Sequence, residues 1–146
     1  MRVKKYFMEW LLADMIIREI IPGKLYQGDQ AGAYEFAKNP NSYIICVANG
    51  CYIGRDAYYP VDDISEIPPS LFMAVNNEIE KAINLGKKVL VHCGAGVSRS
   101  VTFILAYLMW KNRWTHKEAI AKTGFNWLHP IMVDNLKKFE KFLNLS

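Results

Sequence analysis

A chain of 146 residues that is 51% hydrophobic and 22% charged can bury a substantial core and is too apolar for intrinsic disorder. No run approaches the ~20 uninterrupted apolar residues of a membrane-spanning helix, and three cysteines do not make a disulfide scaffold. A formal charge of +4 is too small to point to nucleic acid; it suits a protein that meets anions locally.

In chain order, Phe7, Leu11 and Met15, joined by Leu12 and Ile16, recur at helical spacing and predict an amphipathic helix over residues 1–20, part of the same unit as the rest. Glu9 and Asp14 interrupt its apolar run and no small-x-small site follows, so it does not read as a signal peptide. Pro22-Gly23 breaks it. Residues 21–146 then read as one domain.

Leu25-Tyr26-Gln27 predicts a short strand, followed by a helix from about Asp29 to Lys38 and a turn at Asn39-Pro40-Asn41-Ser42. The continuous apolar run Tyr43–Ala48 predicts a strand covered on both faces. Ala57–Val61 reads as an edge strand, because Pro60 can donate no ladder hydrogen bond. Ser70 opens a helix with Leu71, Val75, Ile79, Ala82 and Ile83 on one face, stopped at Gly86.

Val89-Leu90-Val91 is a further strand, and Val101–Trp110, apolar all round, is a buried helix. Lys111 to Trp114 end that helix with positive charge, which suits its C-terminus. Thr115-x-x-Glu118 has capping-box form and starts a helix through about Lys122. Phe125 and Trp127 are expected in the core, and a last helix from Pro130 puts Val133, Leu136, Phe139 and Leu143 at core spacing. Helices alternating with apolar strands predict an α/β fold, a single domain with a mostly parallel central sheet flanked by helices.

The stretch Val89 to Val101, VLVHCGAGVSRSV, carries the chemistry. A buried strand ends at a cysteine, and a loop with two glycines leads to an arginine six positions later, at the start of a buried helix. Such a loop can turn successive backbone N–H groups inward as a nest for a tetrahedral anion. The helix beginning near Ser98 adds the positive end of its dipole. Gly94 and Gly96 permit backbone angles and close approaches that side chains prevent. The Arg99 guanidinium can meet two anion oxygens at once, which lysine cannot. Cys93, at the base of this positive cup, is favoured as a thiolate.

His92-Cys93-x5-Arg99-Ser100, set in Val91–Ser100 and followed by Ala106-Tyr107-Leu108-Met109, resembles the signature of the cysteine-dependent protein tyrosine phosphatases, in their dual-specificity branch. Leu25-Tyr26-Gln27-Gly28 is similar to the family's "LYLG" strand, and Lys138–Leu143 to its closing helix, so only the first ~20 residues lie outside the pattern. The resemblance implies that residues 21–146 are a catalytic domain with Cys93 as nucleophile. Arg99 and the loop of Gly94, Ala95, Gly96, Val97 and Ser98 would bind phosphate. Ser100 would hydrogen-bond the leaving sulfur and His92 would support the loop, as a structural or an electronic partner.

The family places its general acid on a loop about thirty residues before the cysteine, usually three residues after a proline. Pro60 therefore points to Asp63, with Asp62 as the alternative and Glu66 behind both. No cofactor or metal is implied, and His116 and His129 belong to no metal-spaced cluster. Cys46 and Cys51 are too far from Cys93 in sequence to name as resolving thiols, their place in space being open.

The compact chain implies a shallow cleft that admits phosphoserine, phosphothreonine and phosphotyrosine on a protein partner. The rival substrates are a phosphoinositide, a phosphoglucan or an RNA 5′ end. A non-catalytic phosphate-binding module is the remaining alternative, opposed by the intact Cys93, Arg99 and upstream aspartate. A mechanism that needs a reduced thiol is expected in the cytoplasm.

Overall fold

The computed structural model describes residues 15–51 and 55–145. Its first element corrects the sequence reading. Ile17–Ile21 form a strand, β1, where helical spacing predicts the end of a helix. Four isoleucines at 16, 17, 20 and 21 are β-branched and stiff at χ1, which suits a pleated strand better than a helix. Gly23, at φ 72°, lets the chain reverse after Pro22, and β1 pairs antiparallel with β2 (Leu25–Gly28). Phe7, Leu11 and Leu12, on which the predicted helix also rests, lie outside the described residues.

Helix α1 (Gln30–Phe36) starts at Asp29, whose carboxylate accepts from the Gly32 N–H at 2.6 Å. Then follow β3 (Ser42–Cys46), β4 (Ala57–Tyr58), α2 (Pro69–Asn84), β5 (Lys88–His92), α3 (Arg99–Asn112), α4 (His116–Thr123) and α5 (Pro130–Phe142). The sheet order is β1-β2-β5-β3-β4, and every pairing but β1–β2 is parallel. In that register Gly28 and Cys46 both stand beside His92. The loops leaving β2, β3 and β5 therefore emerge together at the carboxyl edge of the sheet, where ligands bind in open α/β folds.

Alternation along β5 divides the core. Val89 and Val91 face the large cluster built with α2 to α5, while Leu90 faces Ala33 of α1 and Ile44. Phe72 joins three helices, its ring 5.0 Å from Phe103 and 5.1 Å from Phe139. Helix α3 is buried along nearly its whole length, as its all-round apolar sequence requires, and ends at Arg113 in the left-handed region. Both halves of the Thr115/Glu118 capping box are made.

Trp127 departs from its expected core position: it is 63% exposed, edge-on to His129 in the loop before α5. That loop belongs to no amphipathic element, so nothing obliges its aromatics to point inward. Phe125 is half-buried beneath the Arg18 guanidinium, 5.5 Å from the ring centre. Among the described residues no helix is long and apolar enough to cross a membrane.

Candidate active site

The loop after β5 is shaped by what holds its carbonyls. The Gly94 carbonyl accepts from the backbone N–H of Gln30 at 3.0 Å, and the Gly96 carbonyl accepts from Gln27 Nε2 at 2.9 Å and from an Arg18 guanidinium nitrogen at 3.3 Å. With these oxygens drawn back towards β1, β2 and α1, the Gly96 amide is left to face the other way, towards Cys93. The Gly96 N–H donates to Cys93 Sγ at 3.3 Å. Ser98, the residue preceding α3, makes no side-chain cap, so the first-turn amides of that helix are not consumed by it.

Gly96 has φ 72° and sits against the Asp29 backbone. Cys93 lies 2% exposed at the floor of the loop, with Ser100 Oγ 3.1 Å from its sulfur. The Arg99 guanidinium donates to the Val61 carbonyl at 2.8 Å, which brings the Val61–Ser65 turn to the rim. Asn135 of α5 anchors the same turn. Its Oδ1 accepts from the Ile67 N–H at 3.0 Å and its Nδ2 donates to the Ser65 carbonyl at 2.8 Å.

The two aspartates of the turn differ in their partners. The Asp62 carboxylate is bonded by the Asn49 side-chain amide, whereas among the described residues the Asp63 carboxylate accepts only from the neighbouring Ile64 N–H at 3.0 Å. Both are exposed. Glu66 is turned away towards Lys138, 3.6 Å off. Behind the loop, His92 is fully buried and Nδ1 lies 3.2 Å from the Cys93 carbonyl oxygen. Burial holds its pKa below the usual histidine value, against the opposing pull of that carbonyl and of Asp29. The arrangement suits a tetrahedral anion, with a sulfur at its base.

A family model for the dual specificity phosphatase catalytic domain matches residues 39–140. The chain belongs to the dual specificity phosphatases. It is 34% identical over 140 residues to MAP kinase phosphatase with leucine-rich repeats protein 1 of Dictyostelium discoideum, covering 88% of this chain and 17% of that protein. With dual specificity protein phosphatase 26 of Bos taurus it shares 44% identity over 73 residues, 49% of this chain and 33% of the other. The fold superposes on the crystal structure of a human DUSP28 variant with a TM-score of 0.75 at 22% identity, over 88% of this chain and 96% of that one. The chain thus spans less than a fifth of the Dictyostelium relative and a third of the bovine one. It is a cysteine-dependent phosphatase domain, a phosphoric monoester hydrolase.

In this phosphatase domain three supports went unnoticed in the sequence: Gln27, Arg18 and Asn135. Gln27 carried a signal, being polar at the third position of a strand where the family motif has leucine. Arg18 was hidden inside the mispredicted helix, and nothing local marks Asn135. The place of the other two cysteines, open in the sequence, is decided by the fold. Cys46 and Cys51 are paired as a disulfide, with Cα atoms 6.7 Å apart, and Cys93 is the free thiol. The two bridged sulfurs and a ring nitrogen of His92 lie within 4.8 Å of one another. The bridge occupies both thiols, so the group is a disulfide beside an imidazole rather than three free ligands.

A cavity of about 580 Å³ near Lys24, Tyr107 and Trp114 lies at the amino ends of the parallel strands, opposite to Cys93. Two of its polar groups, the Tyr107 hydroxyl and the Lys111 ammonium, are spent on Glu80 at 2.8 and 2.7 Å.

Proposed function

We propose that this domain hydrolyses phosphotyrosine and phosphoserine or phosphothreonine monoesters of proteins through a phosphocysteine at Cys93. The observation that carries the reading is the Cys93 sulfur at the floor of a loop whose carbonyls are tied outward. Cys93 thiolate attacks phosphorus as the S–P bond forms and the bond to the leaving oxygen breaks. Arg99 and the amides of Gly94 to Arg99 hold the three equatorial oxygens. Asp63 gives its proton to the leaving oxygen. In the second step water attacks phosphorus, its proton passes to Asp63, and the S–P bond breaks to return the thiolate. Ser100 donates to the sulfur, and His92 supports the loop from behind.

Asp63 is preferred to Asp62 because the Asn49 amide occupies the Asp62 carboxylate, as the spacing from Pro60 also favours. The absence of lysine or a further arginine between Cys93 and Arg99 favours a protein over a phosphoinositide or RNA 5′ end. A Cys93 thiol kept reduced fits a cytoplasmic setting, in which the neighbouring Cys46 and Cys51 would stand as two thiols.

An aryl phosphate assay tests the chemistry. Cys93→Ser is expected to abolish phosphate release, and wild-type release from that variant overturns the mechanism. Asp63→Asn is expected to slow turnover of alkyl phosphates by roughly 10²-fold, within the range of general acid catalysis, while Asp62→Asn changes it little. The reverse ranking assigns the acid to Asp62. A panel of phosphopeptides, inositol phosphates and a triphosphate RNA decides the substrate class; selective turnover of either non-protein class overturns the protein reading.

A further inference from the structure

Three buried groups behind the phosphate loop, Gln27, Ser100 and Cys93, form a line of polar atoms that ends at a guanidinium. Gln27 Oε1 lies 2.8 Å from an Arg18 nitrogen. A guanidinium can only donate, so this contact settles which end of the amide faces it: the oxygen points to Arg18 and the nitrogen points inward. Nε2 has two hydrogens and three oxygens in reach, the Gly96 carbonyl at 2.9 Å, Ser100 Oγ at 2.8 Å and the Gly28 carbonyl at 3.4 Å. The two short contacts take the two hydrogens.

Ser100 Oγ is therefore an acceptor towards Gln27, which leaves its single hydrogen for one of two targets. They are Cys93 Sγ at 3.1 Å and the Gly28 carbonyl at 3.4 Å. Once the thiol ionises, the sulfur is the nearer of the two and the charged one, and a charged acceptor takes the hydrogen.

We infer that Arg18 and Gln27 are positioning residues that commit the Ser100 hydroxyl proton to the Cys93 thiolate. Every donor then runs one way, from Arg18 to Gln27 to Ser100 to the sulfur, and such chains polarise one another in a low-dielectric interior. Gln27 and Ser100 are both fully buried, so water cannot take the place of either link. Leucine, which the family's motif has where Gln27 stands, could not make it. The same Nε2 and the same guanidinium also hold the Gly96 carbonyl, so one pair of residues sets both the loop and the proton on Ser100.

This inference rests on Cys93 being the nucleophile, and the test separates the two. The readouts are the pH profile of Cys93 alkylation by iodoacetamide and the acid limb of kcat/KM for an aryl phosphate. Gln27→Met fills the same slot without donors. At pH 5.5 it is expected to alkylate roughly tenfold more slowly than wild type, the ratio that corresponds to losing a hydrogen bond to a charged group. Arg18→Met, on the exposed face of β1, is expected to slow it about two- to threefold, since it removes the polarising charge and the longer 3.3 Å contact to the Gly96 carbonyl while Gln27 keeps both of its own donors.

In a Ser100→Ala background each substitution should move the alkylation midpoint much less, the remainder being what the Gly96 N–H contributes at the sulfur. A full-sized shift in that background, or a Gln27→Met protein that melts earlier with its midpoint unmoved, overturns the relay. If Gln27→Met does not fold, Arg18→Met decides alone, and an unmoved midpoint there overturns it. Loss of these effects with Cys93-dependent turnover intact leaves the phosphatase mechanism standing; turnover that survives Cys93→Ser removes the mechanism itself.

Discussion

Gly96 meets two constraints that alanine cannot. Its φ is 72°, and a Cβ there would sit 3.0 Å from both the Cβ and the backbone nitrogen of Asp29. Asp29 has little room to yield, because its carboxylate is fixed by the amides of Gly32 at 2.6 Å and Ile16 at 3.0 Å. Gly96→Ala is expected to lose about 1–2 kcal/mol from the left-handed backbone alone, and to reduce turnover more than tenfold because the loop must shift. Gly23 supplies the control: it has nearly the same φ, but a Cβ would meet nothing within 4 Å. Gly23→Ala should therefore lower the melting temperature and leave kcat/KM unchanged. Equal turnover in the two variants would show that Gly96 contributes backbone freedom and not close approach.

Among the elements, α4 is the one whose start rests most plainly on local chemistry. The Thr115 hydroxyl accepts from the Glu118 N–H at 3.2 Å, and the Glu118 carboxylate accepts from the Thr115 N–H at 3.2 Å. Tertiary contacts add to this, since Glu140 of α5 accepts from the backbone N–H of His116 at 2.7 Å and faces its ring at 2.9 Å. Thr115→Ala is expected to cost about 1 kcal/mol, read as a lower urea midpoint at unchanged slope. The site lies at the other end of the molecule's chemistry, so kcat/KM should not change. A loss of activity without a loss of stability would contradict this reading. The contrast with α3 is that its Ser98 makes no side-chain cap, so its first-turn amides are not taken by that side chain.

For the molecule as a whole, acid sensitivity is expected in two stages. Burial holds the pKa of His92 below its ordinary 6.5, so the unfolded chain takes up this proton first as pH falls. Stability from this group is complete above about 6.5 and is lost progressively below it. Glu80 lies below its ordinary 4.5 chiefly through Lys111. Glu140 does so because the N–H and ring of His116 outweigh its burial, which pulls the other way. Their stabilisation is lost only below about 4.5. Urea denaturation at pH 7.5, 6.5, 5.5 and 4.5 is expected to show little change between 7.5 and 6.5 and falling stability below 6.5 in wild type, with a weaker fall in His92→Asn. The same slope in both proteins would remove His92 as the source.

Much of this fold is legible along the chain. The apolar runs of β3 and β5, the all-round apolar α3, the capping box of α4 and the spacing of α5 are all local patterns with one physical reading each. The Cys93–Arg99 loop is legible for the same reason: a nest, a helix N-terminus and an arginine fork are built by consecutive residues. β1 is not legible in the sequence because isoleucines at 16, 17, 20 and 21 satisfy helical and strand spacing alike, and only pairing with β2 separates the two. Trp127 is exposed where the sequence reading puts it in the core, because residue type does not say which way a loop turns, and for the same reason the pairing of Cys46 with Cys51 is open in the sequence. By itself the sequence determined the α/β class and the family, and it supplied the candidate residues of the proposed anion loop. The tertiary structure decided what aims that loop, since Arg18 and Gln27 come from two other strands. It also decided that Asn135 holds the turn bearing Asp63, because hydrogen bonds between segments 68 to 78 residues apart exist only once the sheet has brought their ends together.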